Sequence, residues 1–102
     1  NKLVRDKIKE IIEKEGKSAV THIADEQEYS QRLKEKLVEE VEEFLSTPNA
    51  EELVDLLEVI YTLAELEGLS PAQLEQQRQK KAHERGTFSK RIVLDKVIPK
   101  TT

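Results

Sequence analysis

Residues Lys36 to Leu66 read KLVEEVEEFLSTPNAEELVDLLEVIYTLAEL, and their pattern decides the fold. Two acidic signatures lie in this stretch: Glu39-Glu40-Val41-Glu42-Glu43, then Glu52-Leu53-Val54-Asp55. Each holds a carboxylate pair three residues apart, Glu40/Glu43 and Glu52/Asp55, and that spacing puts both members on one face of a helix. Pro48 falls in the short break between the signatures, which predicts two helices meeting as an antiparallel hairpin. Two such pairs facing each other gather four carboxylates around one point, and that concentration of like charge calls for cations. An all-oxygen donor set suits Mg²⁺ or Mn²⁺ and not Zn²⁺.

At about 100° per residue, the second helix of the pair is apolar around most of its circumference, from Leu53 and Val54 through to Leu66. Glu51, Asp55, Glu58, Thr62 and Glu65 share one narrow polar arc. Glu52 lies outside that arc, between Leu56, Val59 and Leu63, and Asp55 sits at its edge beside Leu66. A helix apolar nearly all round is covered on several sides. A carboxylate on its covered face is expensive unless it is paired or binds metal.

The chain of 102 residues is long enough for one domain with a core. Charged residues make up 37% and aromatics 4%, with 3 glycines, which fits a charged, mainly helical protein. The net charge of −4 leaves no general basic footprint for polymeric nucleic acid. There are no cysteines, so disulfides and thiolate metal sites are excluded and a reducing cytoplasm is the expected setting. No apolar run approaches membrane-spanning length, and no signal-peptide pattern is present.

Along the chain, Lys2 to Glu15 predicts a short helix with Leu3, Ile8, Ile11 and Ile12 inward and Gly16 as its C-cap. Ser18–Ala24 (SAVTHIA) and Arg91–Ile98 (RIVLDKVI) are β-branched enough to pair as a short two-stranded ribbon. Asp25, with Glu28 three residues on, marks the start of the next helix, which runs to about Leu45. Its inner stripe is Leu33, Leu37, Val41 and Phe44, widened by Val38 and Leu45. Thr47-Pro48 reads as the cap and first residue of the central helix, which Gly68 closes. Ser70-Pro71-Ala72-Gln73 repeats the start signal for a last helix rich in Arg78, Lys80, Lys81 and Arg85. His22 and His83 lack a partner at metal-ligand spacing and read as structural. No Gly-rich phosphate loop is present.

Three blocks now carry a resemblance: NKLVRDKI (Asn1 to Ile8), KLVEEVEEF with ELVDLLEV (Lys36 to Val59), and RQKKAHERGTF (Arg78 to Phe88). Together they resemble the all-α nucleoside triphosphate pyrophosphohydrolases, the superfamily of MazG and phosphoribosyl-ATP pyrophosphohydrolase. The likeness is to its small single-domain house-cleaning members and covers nearly all of residues 1–102. The resemblance implies a mainly all-α, four-helix-bundle-like fold and Mg²⁺-dependent hydrolysis between the α- and β-phosphates of a nucleoside triphosphate. It places the metal ligands on Glu40, Glu43, Glu52 and Asp55, with Glu39 near the site. It also implies a homodimer or larger homo-oligomer. The gap from Phe44 to Glu51 is shorter than in MazG, so base contacts made by longer loops elsewhere would be absent here.

The chemistry suits these residues. A triphosphate needs its charge neutralised before water attacks, and basic side chains from Lys7, Arg78, Lys81 or Arg85 would hold the outgoing pyrophosphate. Glu39 and Glu43 are alternative acceptors of the water's proton. Two competing readings remain at this level: an acidic helical interaction module without catalysis, and a degenerate relative that binds nucleotides without hydrolysing them.

Overall fold

In the computed structural model, which describes residues 1–101, the acidic stretch folds as the hairpin its pattern predicts. Its first arm, here α2, spans Glu26–Ser46, and its second, α3, spans Ala50–Leu66. Two shorter helices flank them, α1 at Ile8–Lys14 and α4 at Pro71–Arg85. The mainly all-α expectation therefore holds. The chain falls into two units, Asn1–Ser70 and Pro71–Thr102.

Caps set the hairpin's boundaries. The Asp25 carboxylate accepts the Glu28 amide at 2.8 Å and starts α2 as expected. The start of α3 differs from expectation. Its cap is Asn49, whose side-chain oxygen accepts the Glu52 amide at 2.9 Å, and Thr47-Pro48 lies ahead of the helix. An extended Asn49 reaches the third helical amide directly, so Pro48 ends the turn instead of opening the helix. Gly68, at φ +79°, closes α3. The Gly68 amide bonds the Glu65 carbonyl and the Leu69 amide bonds the Ala64 carbonyl at 2.9 Å, a Schellman arrangement that turns Leu69 back toward the buried Ala64.

Within residues 1–70, α2 and α3 are the helices that pack on each other. Leu33, Val59 and Ala64 are buried there, with Leu37, Phe44, Leu56 and Leu63 half-buried around them. The inner stripe is narrower than its sequence suggests: Val38, Val41 and Leu45 are exposed, Leu45 at 70%. On α3, Leu53, Val54, Leu57 and Ile60 are also exposed. At about 100° per residue, Val38, Val41 and Leu45 of α2 and Leu53, Leu57 and Ile60 of α3 lie on one side of the hairpin. The acidic residues lie on the other.

Two further expectations are corrected. Residues 1–7 are not helical, and Ile11 is exposed. Those residues are instead tied down by polar contacts: Lys2 Nζ lies 3.6 Å from Glu39, Arg5 pairs with Asp55, and Arg32 donates to the Asn1 carbonyl at 3.2 Å. The ribbon does not form either, and no strand occurs among the described residues. Val20 and Ile23 stand almost fully in solvent, and Ile92, Val93, Leu94, Val97 and Ile98 are largely exposed. A two-stranded ribbon without a packed face is marginal in water, and neither segment finds such a face. In the second unit, α4 carries no buried residue and ends where the Gly86 amide meets the Ala82 carbonyl at 2.7 Å.

Candidate metal centre

The hairpin brings one carboxylate of α2 against two of α3. Glu40, Glu52 and Asp55 each offer an oxygen, and the three oxygens lie within 4.8 Å of one another. Glu40 is among the most buried residues of the chain, at 6% exposure. Its Oε1 is 3.6 Å from Lys36 Nζ one helical turn earlier, while its Oε2 is buried without a hydrogen-bond partner. Glu52 Oε2 is likewise buried and unpartnered. Asn49 and Glu52 have capping-box spacing, in which the glutamate side chain would turn back to the cap's own amide. Glu52 instead points into the hairpin, beside the buried Val59 and half-buried Leu56 and Leu63, as the helical phase predicts.

Two of these carboxyls respond to the crowding. Removal from water pushes the Glu40 carboxyl above its ordinary range; neighbouring Glu43, Asp55 and Glu39 add to the shift, and Lys36 opposes it. Removal from water also raises Glu52, and the neighbouring Glu43, then Asp55 and Glu40, push it the same way. Glu43 therefore stands close to Glu52 at the border of the cluster and stays exposed to solvent. At 4.8 Å, two full charges repel by roughly 3 kcal/mol at an effective dielectric constant of about 20.

The chain supplies some compensation. Arg5 Nη2 donates to Asp55 Oδ1 at 2.7 Å. Both partners are partly exposed, so this pair contributes at most about 1 kcal/mol. That is too little to offset three mutually repelling carboxylates. Two buried oxygens without donors and a surplus of negative charge are what a divalent cation satisfies. The all-oxygen donors match Mg²⁺ or Mn²⁺. The residues present therefore fit such an ion, with Glu40, Glu52 and Asp55 as its ligands.

The remaining expected residues are placed less centrally. Glu39 is held between Lys2 at 3.6 Å and Lys36 at 3.3 Å. Lys7 is exposed and has no ion pair among the described residues. On α4, Arg78 is committed to Glu75 at 2.7 Å, which pulls the Glu75 carboxyl below its ordinary range. Lys81 and Arg85 are exposed. Lys2 and Arg5, which with Lys7 read from sequence as a solvated basic face or a phosphate contact, instead meet Glu39 and Asp55, and Lys36 was not singled out. Lys36 had a usable signal, its spacing of four from Glu40. Arg5 had none, because fifty positions of chain separate it from Asp55. His22 pairs with Glu28 at 3.0 Å, a local contact away from the cluster.

If the cluster binds metal, millimolar Mg²⁺ or Mn²⁺ should raise the melting temperature by several degrees, since a ligand that binds only the folded state stabilises it. Melting curves in Mg²⁺, Mn²⁺, Ca²⁺ and EDTA that superimpose would rule the site out.

No protein-family model, curated protein or solved structure matches this chain. Any functional reading therefore stands on the geometry of the carboxylate cluster and on the three sequence blocks.

Proposed function

We propose that the protein is a Mg²⁺-dependent nucleoside triphosphate pyrophosphohydrolase that cleaves between the α- and β-phosphates to release a nucleoside monophosphate and pyrophosphate. The observation that carries this reading is the convergence of Glu40, Glu52 and Asp55 within 4.8 Å, with two of their oxygens buried and lacking any donor. The EExxE and ExxD signatures and the flanking blocks point the same way. A bound divalent cation would neutralise phosphate charge and acidify a coordinated water.

The chain's own groups then take the following parts. Glu40, Glu52 and Asp55 hold the cation. Glu43, exposed and beside Glu52, accepts the proton that water loses as its oxygen bonds to phosphorus and the bridging P–O bond breaks. We assign this role to Glu43 over Glu39, because Glu39 is already engaged by two lysines. Lys7, exposed and without an ion pair among the described residues, holds the outgoing pyrophosphate. The setting we assign is the cytoplasm, with no membrane partner. No helix among the described residues is long and apolar enough to cross a membrane.

Incubation with a panel of canonical and modified triphosphates tests the reaction. Equal amounts of monophosphate and pyrophosphate should appear with Mg²⁺ and none with EDTA; orthophosphate as the only product would contradict the reading. Lys7→Ala should raise KM about tenfold with little change in melting temperature, since it removes a charge-assisted phosphate contact. Unchanged kinetics would return Lys7 to a solvated surface. The exposed apolar side of the hairpin favours a second reading, a helical interaction module. That reading gains if the panel is inert.

A further inference from the structure

Arg5 occupies an unusual position for a residue on a segment without helix or strand. Its guanidinium meets Asp55 Oδ1 at 2.7 Å, and Asp55 is one of the three clustered carboxylates. Among the described residues, neither the Arg5 guanidinium nor the Asp55 carboxylate makes another hydrogen bond or ion pair. We propose that Arg5 is the chain's own counter-ion for this cluster, standing on Asp55 until a divalent cation takes its place, so that seating of residues 1–7 and cation binding exclude one another. The inference rests on the metal-site reading above.

The physical case has three parts. The cluster gathers more negative charge than Lys36 can answer, because that ammonium lies 3.6 Å from Glu40 and is shared with Glu39. Arg5 answers part of the remainder, reaching the cluster from another part of the chain. A dication on the same carboxylate repels the guanidinium more strongly than a half-exposed ion pair attracts it. Finally, the segment is lightly held. Besides the Arg5 side chain, its ties are Lys2 to Glu39 at 3.6 Å, Arg32 to the Asn1 carbonyl at 3.2 Å, a half-buried Leu3, and the Arg5 and Lys7 carbonyls, which accept the Ile8 and Ile11 amides at 3.1 Å. A stretch held by a few exposed polar contacts can open at small cost.

Calorimetric titration of Mn²⁺ into the metal-free chain, without nucleotide, tests this on wild type, Arg5→Gln and Arg5→Lys. Arg5→Gln should bind Mn²⁺ roughly two- to fivefold more tightly than wild type, the size set by a half-exposed ion pair. Arg5→Lys, which keeps the charge, should return toward the wild-type affinity. Trypsin should cut wild type after Lys2, Arg5 and Lys7 faster with Mn²⁺ than with EDTA. If Arg5 only braced the fold, Arg5→Gln would bind more weakly. Equal or weaker binding by Arg5→Gln overturns the inference and leaves the metal site standing. Absence of binding by wild type and Arg5→Gln alike overturns both.

Discussion

Glu52→Gln should abolish Mg²⁺-dependent hydrolysis, lowering turnover by roughly 10²-fold or more and weakening cation binding by at least about tenfold, while the metal-free protein keeps or gains stability. The substitution preserves shape and removes charge. Glu52 Oε2 is buried with no donor, and its neighbours Glu43, Asp55 and Glu40 all disfavour its ionised form. Losing the charge therefore removes a metal ligand and a source of repulsion together. The pH dependence has a definite sign. A carboxyl whose folded-state pKa is raised binds its proton more tightly folded than unfolded, so its contribution to stability falls as pH rises from the ordinary carboxylate range through the raised value. Both Glu40 and Glu52 are of this kind. The stability gained by Glu52→Gln in EDTA should thus be small near about pH 4 and larger near about pH 7.5. Urea melts at the two pH values measure it, and a gain that shrank with rising pH would contradict the assignment. Glu42→Gln is the control: Glu42 is exposed and lies outside both carboxylate pairs, so its activity should match wild type.

Leu57→Glu should convert a dimer, or a larger assembly, into single chains. Leu57 lies within the exposed apolar side made by Val38, Val41, Leu45, Leu53 and Ile60, a contiguous apolar face of the kind that marks an interaction surface. On a monomer, a surface change of this kind shifts stability by no more than about 0.5 kcal/mol. Inside a self-associating face, it buries an unpaired charge and costs several kcal/mol. Light scattering at micromolar concentration reads the difference. Wild type should have the mass of at least two chains and Leu57→Glu that of one. A wild type already monomeric would mean that another partner covers this side, or that none does.

The hairpin was legible because its signals are local. The phase of Glu52 against Leu56, Val59 and Leu63, the Asp25 cap and the Gly68 stop all act within a few residues, and all appear in the fold. The start of α3 was misjudged by two residues because Thr47 and Asn49 are both competent caps, and only backbone geometry chooses between them. The inner stripe of α2 was read too wide, because periodicity shows that Val38, Val41 and Leu45 share a side but not what covers it. The ribbon was misread because β-branched composition needs a packed face to become a sheet, and nothing local says that the face is missing. Three of the four clustered carboxylates were placed together correctly, with Glu43 one step out. Arg5 on Asp55 could not be foreseen, since a contact across fifty positions leaves no trace in the spacing of either residue.

Crystals grown with Mn²⁺ give the most direct test of the central claim, through the anomalous scattering of the ion. One peak is expected between Glu40, Glu52 and Asp55, with the Arg5 guanidinium moved off Asp55. A map with no peak among these three carboxylates, and Arg5 still within hydrogen-bonding distance of Asp55, would contradict the account.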